Sequence, residues 1–351
     1  MTAPLACSEV HAAPAIRRRA TDGLLDAIGG GCVLLLRHVS WRAALRLGCV
    51  LGRIAGAFPG RRRARAIANL ARAGSRDPDH ASRRIRCHAG QTLMEIAWSM
   101  TRSSEEVRPH LVVEGLDLLR SAAATGRGVL LVSAHMGNWE MVGLAAALAG
   151  APVAAIARPM RTPRLERLLI AFRERCGVRT LVRQKAGTSL AAARWLQRGG
   201  VLACLVDRAS SGRRIELPFL GAMTRLPLGP FDLACRLGSI VVVGSARRLP
   251  QGMTRVTFRQ VTGGSAIDAQ ETARQVLQTL EQELGPEPER WLWIGRRQPF
   301  VNGAPCADPS RPRERRPVPG FPDRGRSPLP PRPARPRPAD ATQSAASHRH
   351  P

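Results

Sequence analysis

A chain of 351 residues is long enough to bury a sizeable core and to carry one large domain with appendages. Its formal net charge of +28 points to an anionic partner such as nucleic acid, a membrane surface or an acidic carrier. That charge assigns no partner alone, because Lys185 is the only lysine, tyrosine is absent, and abundant Arg, Ala, Gly and Pro are what a GC-rich coding sequence gives.

Aromatic residues make up 4% of the chain and no nucleic-acid-binding module is present, so nucleic acid is not expected as a partner. Eight cysteines are scattered at 7, 32, 49, 87, 176, 204, 235 and 306, with no CxxC pair and no His/Cys spacing suited to zinc. Neither a metal site nor a disulfide framework is therefore expected. Cys204 and Cys235 lie in apolar runs and read as small buried hydrophobes in a reducing compartment.

The first twenty residues lack the basic-then-apolar order of a signal peptide. Two apolar stretches follow, GLLDAIGGGCVLLL (23–36) and AALRLGCVLGRIAGAF (43–58), broken by Asp26 and by Arg46 and Arg53. Neither reaches the roughly 18 uninterrupted apolar residues of a spanning helix. Arg17, Arg18, Arg19, Arg37, Arg42 and the run Arg61, Arg62, Arg63 flank them, as suits helices lying on an anionic membrane face; amphipathic helices packed on a soluble core are the alternative.

Apolar spacing near 3.6 predicts helix over most of 15–105. From about residue 110 short aliphatic runs alternate with helical segments. GVLLV (128–132), PVAAIA (152–157), VRTLV (178–182), VLACLV (201–206), SIVVVGSA (239–246) and MTRVTFRQV (253–261) read as strands. WEMVGLAAALAG, TPRLERLLIAFRERCG and TSLAAARWLQRGG read as helices closed by glycine. The alternation predicts an α/β fold with a mostly parallel central sheet flanked by helices. DAQETARQVLQTLEQELG is the closing helix, and the Pro/Arg-rich residues after it read as a disordered tail. The expected organisation is a helical membrane-associated region (1–105), an α/β domain (106–300) and the tail (301–351).

The chemistry centres on SAHMGNWEM (133–141), a strand end, a glycine turn and a helix start. Carboxyl ends of strands are where open α/β sheets bind ligands, and His135 sits at one. Asn138 is placed to cap the helix, with Glu140 in its first turn. A chain folding back there lets Glu140 reach the imidazole, fix its tautomer and leave the other ring nitrogen as a general base. A turn histidine bonded to backbone, beside a carboxylate favoured by the helix dipole, is the plain alternative. Arg158, Asp207 and Ser245 also close or follow aliphatic strands, and a parallel sheet can bring Arg158 and Asp207 to the edge that carries His135. Arg158 there could bind a phosphate or phosphopantetheine; Asp207 could equally pair with Arg208. No G-x-S-x-G elbow occurs, which argues against a serine hydrolase.

The order SAHMGNWE, ARP (157–159), AFRERCG, VDR, IELPFLG, TRLPLGP, DLACRLGSIVVV and PERWLWIGRR resembles the bacterial lipid A biosynthesis acyltransferases, within the glycerolipid acyltransferase superfamily. The resemblance covers about residues 40 to 300. It implies an inner-membrane enzyme facing the cytoplasm that moves an acyl chain from acyl carrier protein, or coenzyme A, to a hydroxyl of a lipid acceptor without a metal or other cofactor. The acceptor it implies is a lipid A precursor; a lysophospholipid, a phosphatidylinositol mannoside or an aminolipid are alternatives.

By the same resemblance His135, Glu140 and Arg173 are catalytic, with His135 as the base held by Glu140. Arg158, Asp207, Asn138, Phe219, Gly221 and Thr224 are substrate-binding residues. Arg173 or Arg158, with backbone amides of the Met136 to Asn138 turn, would stabilise the oxyanion. Arg208 departs from the family's usual glutamine, and Gly295, followed by Arg296 and Arg297, from a frequent histidine. The expected partners are acyl carrier protein, an anionic lipid acceptor and the inner-membrane surface.

Overall fold

Successive side chains of a strand point to opposite faces, so a strand covered on both faces reads as an unbroken aliphatic run. That is what GVLLV and its counterparts do. The computed structural model describes residues 23–305 apart from 24–25, 28, 58–59, 161, 184–186, 209–211, 262–267 and 293–299, and all of them lie in one compact unit. Leu130, Val132, Leu202, Val241 and Val243 face one core, with Leu196, Phe231 and Leu280 of the covering helices. Their neighbours Val129, Leu131, Val201 and Val242 face another, with Met141, Leu144, Phe172 and Trp98.

The central sheet has seven strands in the order β1-β9-β8-β2-β5-β3-β4. These are β1 (Leu111–Glu114), β2 (Val129–Ser133), β3 (Val153–Ala157), β4 (Val178–Val182), β5 (Val201–Leu205), β8 (Ile240–Arg248) and β9 (Thr254–Gln260). Every neighbouring pair is parallel except β8 and β9. The Leu249–Met253 connection is too short for a parallel crossover, which requires a dozen or more residues.

A second sheet, β10-β7-β6, contains the hairpin β6 (Arg214–Phe219) and β7 (Ala222–Pro227). Leu220 and Gly221 form its two-residue turn with φ of 48° and 73°, the left-handed geometry that two-residue hairpins use. The third strand of that sheet is β10 (Phe300–Pro305).

Helices before β1 are α1 (Trp41–Ala57), α2 (Arg61–Arg72), α3 (Pro78–Ser99) and α4 (Ser104–Val107). Asp77 caps α3 by accepting from His80 N at 2.9 Å, with Pro78 as the first helical residue. α1 and α3 cross very closely, because a Cβ at Gly48 or Gly52 would collide with the backbone of Gly90 or Arg86. Close contact brings Cys49 and Cys87 into a disulfide, correcting the expectation that no disulfide forms. Their separation of 38 residues carries no sequence signature; the glycine crossing creates the proximity. Cys204 is buried, Cys235 half-buried, and burial pushes the Cys204 thiol up to about 12.

Among the described residues no helix is long and apolar enough to cross a membrane. α1 nonetheless leaves Leu47, Val50, Leu51 and Ile54 exposed, joined by Leu34, Leu35 and Leu93. Residues 1–22, the tail beyond 305, Gly295, Arg296 and Arg297 lie outside the described residues.

Candidate active site

β2 and β5 are adjacent and parallel with Ser133 opposite Leu205, so two residues further on His135 and Asp207 come side by side. The His135 backbone N–H donates to Asp207 Oδ2 at 2.9 Å, and its ring Nδ1 lies 2.7 Å from Oδ1. Trp291 Nε1 donates to Oδ2 at 2.7 Å. Burial pushes the Asp207 carboxyl up, but the imidazole of His135 and these donors outweigh it and hold the group below its usual range. An ionised Asp207 only accepts, so Nδ1 carries the proton and Nε2 is left as a base.

The Glu140 carboxylate does not hold the imidazole. Arg173 Nε and Nη2 donate to its two oxygens at 2.8 and 2.6 Å. This corrects the expected His135–Glu140 pair. Asn138 caps α6 (Trp139–Ala147) as anticipated, accepting from Glu140 N at 3.2 Å. Glu140 in the first turn then meets the planar fork of Arg173 on α7 (Pro163–Arg175), which matches a carboxylate with two charge-assisted bonds. Burial works against the Arg173 charge, yet Glu140 raises its pKa.

The turn carrying His135 is strapped by the chain just past the closing helix. Leu292 N donates to His135 O at 2.9 Å, and Met136 bridges Trp291. Met136 N donates to Ala134 O at 2.7 Å and Gly137 N to Arg290 O at 3.4 Å. These two amides are thus committed within the protein, contrary to the expectation that they face an oxyanion. Trp139 packs on the imidazole with ring centroids 4.7 Å apart.

His135, Glu140, Arg158 and Arg173 line one cavity of about 630 Å³, with Leu131 and Val142 among its apolar walls. Met94 and Met100 of α3, and Val33 and Leu36 of the helical stretch before α1, close it from the N-terminal side. Three guanidinium groups gather on its polar side: Arg158, Arg183 and Arg208. β3 and β4 pair with Ala157 opposite Val182, so Arg158 and Arg183 follow in register, and burial with repulsion from Arg158 lowers the Arg183 pKa. Arg183 was overlooked in the sequence although it follows an aliphatic strand just as Arg158 does. Trp291 was overlooked as well, since nothing in the sequence links it to Asp207.

The remaining expected substrate residues stand behind the cavity wall. Asn138 is buried under the helix cap, and Phe219 packs edge-on against Trp291 at 5.0 Å. Gly221 forms the hairpin turn and Thr224 is buried within β7. Ser245 points elsewhere, donating to Glu283 at 2.7 Å.

A histidine with an ionised carboxylate on Nδ1, opening with its other nitrogen into an apolar cavity rimmed by arginines, suits base-assisted attack by a lipid hydroxyl. A family model described as bacterial lipid A biosynthesis acyltransferase matches residues 14–298. The chain belongs to this acyltransferase family.

Curated relatives include a phosphatidylinositol mannoside acyltransferase of Mycobacterium tuberculosis (strain ATCC 25618 / H37Rv), 28% identical over 134 residues, which are 37% of this chain and 42% of the relative. The protein of the same name from Mycolicibacterium smegmatis is 29% identical over 132 residues, 37% of this chain and 43% of the relative. The chain thus spans about two fifths of the length of these relatives. In this family member Arg208, not glutamine, follows the aspartate that holds the catalytic-site histidine.

Proposed function

We propose that the protein transfers an acyl chain from an acyl carrier protein thioester to a hydroxyl of a lipid acceptor, with His135 as general base. The observation that carries the reading is the 2.7 Å contact between His135 Nδ1 and Asp207 Oδ1 beside an apolar cavity of about 630 Å³. Nε2 takes the acceptor hydroxyl proton as the oxygen attacks the thioester carbonyl. The tetrahedral intermediate collapses with cleavage of the C–S bond, and the leaving thiolate takes the proton back from the imidazolium. Asp207 stays ionised throughout and holds the ring, as in serine hydrolase triads but without the serine.

Arg173 is fixed by Glu140 through Nε and Nη2, so its Nη1 is the nitrogen outside the pair. Arg173 or Arg158 then steadies the oxyanion. Arg158, Arg183 and Arg208 suit the phosphates of an anionic acceptor or the phosphopantetheine arm of the carrier. Coenzyme A is the alternative donor, and the scheme uses no metal or other cofactor.

The exposed leucines and valine of α1, with Ile54 beside them, support attachment to the cytoplasmic face of the inner membrane through an in-plane helix. The family description favours a lipid A precursor as acceptor. A second acceptor, phosphatidylinositol mannoside, is favoured by the names of the curated relatives. Purified protein with carrier thioester and each acceptor in turn separates the two. His135→Ala should lower transfer by roughly 10²- to 10⁴-fold, and a loss below tenfold would refute the base assignment.

A further inference from the structure

A second cavity, of about 610 Å³, opens among α1, α2 and α3 and shares no lining residue with the catalytic one. Its walls carry Arg53 and Gly56 of α1, Arg63 of α2, and Arg83, Arg84 and Arg86 of α3. Nearby carboxylates balance only part of this charge. Asp79 is shared between Arg63 at 2.8 Å and Arg83 at 2.5 Å. Arg84 is taken by Glu289 at 2.8 Å.

Arg53 and Arg86 have no carboxylate in ion-pair range among the described residues. Arg86 Nη1 donates to Ser82 Oγ at 2.9 Å, while the Nε groups of Arg86 and Arg63 are buried with no acceptor. Burial, together with the repulsion of Arg63 and Arg83, lowers the Arg86 pKa. The position of Arg86 is built into the fold: its side chain passes over Gly56, where any Cβ would collide with it. The Cys49–Cys87 bond ties α1 to α3 beside it.

A cavity that gathers guanidinium groups and leaves buried N–H donors unmet is complementary to an anion with several acceptor oxygens. Phosphate fits, because guanidinium binds it through paired charge-assisted bonds. The outer face of α1 says where that phosphate comes from. Leu47, Val50, Leu51 and Ile54 are exposed on the helix that supplies Arg53. Apolar side chains of an interfacial helix reach roughly 5–10 Å into the headgroup and acyl boundary, which leaves basic residues of the same helix at headgroup level. We propose that this cavity binds the phosphate of an anionic phospholipid headgroup and so sets how the protein sits on the bilayer. The proposal rests on the membrane-surface part of the function proposed above, and not on the identity of the acyl acceptor.

The test is sedimentation of the full chain with phosphatidylglycerol or phosphatidylcholine vesicles, comparing wild type with Arg53→Gln/Arg86→Gln and a charge-matched control, Arg37→Gln/Arg42→Gln. Wild type should prefer phosphatidylglycerol, and the cavity variant should bind it at least tenfold more weakly than the control does. Its melting temperature should not fall, since the charges removed have no carboxylate partner. Equal losses in both variants would mean diffuse attraction and overturn the site. Calorimetric binding of inorganic pyrophosphate that the cavity variant loses, with vesicle binding intact, would assign the cavity to a soluble phosphate and overturn the lipid source. Wild type that binds neither vesicle would defeat the membrane-surface reading itself, whereas unchanged binding in the cavity variant would defeat only this inference.

Discussion

His135 Nδ1 lies 2.7 Å from Asp207 Oδ1, across 72 residues of chain, while Glu140, five residues from His135, is bound to Arg173. The carboxylate nearest in sequence is therefore not the one that orients the ring. The two acids should separate experimentally. Asp207→Asn keeps the shape but lets the amide bond either ring tautomer, so kcat should fall by roughly 10²- to 10⁴-fold with little change in KM. Steady-state kinetics check this, and a kcat within threefold of wild type would refute the orienting role.

Glu140→Ala should act first on stability. Glu140 and Arg173 side chains are 8% and 13% exposed, so removing the acid strands a buried guanidinium. Loss of one partner from a buried pair costs about 3–5 kcal/mol, and partial exposure puts this pair near the lower end. Chemical denaturation should show that loss, and Glu140→Ala/Arg173→Met should recover part of it.

Gly143 lines the catalytic cavity in the middle of α6, where a Cβ would meet only the Val178 methyl groups at 3.8 and 4.0 Å. Packing does not require glycine there. Val178 and Arg183 lie at opposite ends of β4, roughly 16 Å apart at strand spacing, which puts Gly143 far from the arginine rim. Gly143→Ala should raise stability by about 0.5–1 kcal/mol through helix propensity. Gly143→Leu should fill the floor, and mass spectrometry of the product should show shorter acyl chains. An unchanged chain-length profile would count against this end being the floor.

Stability should fall in acid through His88. Arg248 donates from Nε and Nη2 to the fully buried Glu95 at 2.7 and 2.6 Å and from Nη1 to Gln91 at 3.1 Å, and Nη1 lies 3.4 Å from His88 Nδ1. Burial first, then Arg248 and Arg84, lower the His88 pKa to about 4. The unfolded chain protonates at about 6.5, so it binds the proton first as pH falls. The contribution is whole above that pH and is lost on the way down to about 4, on the order of 3 kcal/mol in all. Denaturation midpoints across this window should fall for wild type and fall less for His88→Gln.

Reduction of Cys49–Cys87 should destabilise the protein by about 2–4 kcal/mol, since the bond closes a loop across 38 residues. Melting with and without reductant measures this, and Cys49→Ser should be insensitive to reductant.

Six strands and the helices between them were legible because burial on both faces leaves unbroken aliphatic runs, and glycines such as Gly177, at a φ of 77°, stop the helices. β1 was not, being a four-residue strand at the sheet edge, and the β6–β7 hairpin alternates buried with exposed residues around Pro218 and carries no such run.

The sequence by itself determined the α/β pattern, the position of His135 just past a strand, the Asn138 cap and, through its ordered blocks, the family. These are local properties, set by side-chain periodicity, helix-end hydrogen bonds and chain order. Which acid faces the imidazole was decided only by tertiary structure. Strand order places β5 beside β2, and the register of that pair brings Asp207 to His135 and leaves Glu140 to Arg173. The disulfide, the Arg183 rim position and the arginine cavity are of the same kind, because each depends on which elements pack together, a free-energy difference summed over many weak contacts that no short stretch of sequence records.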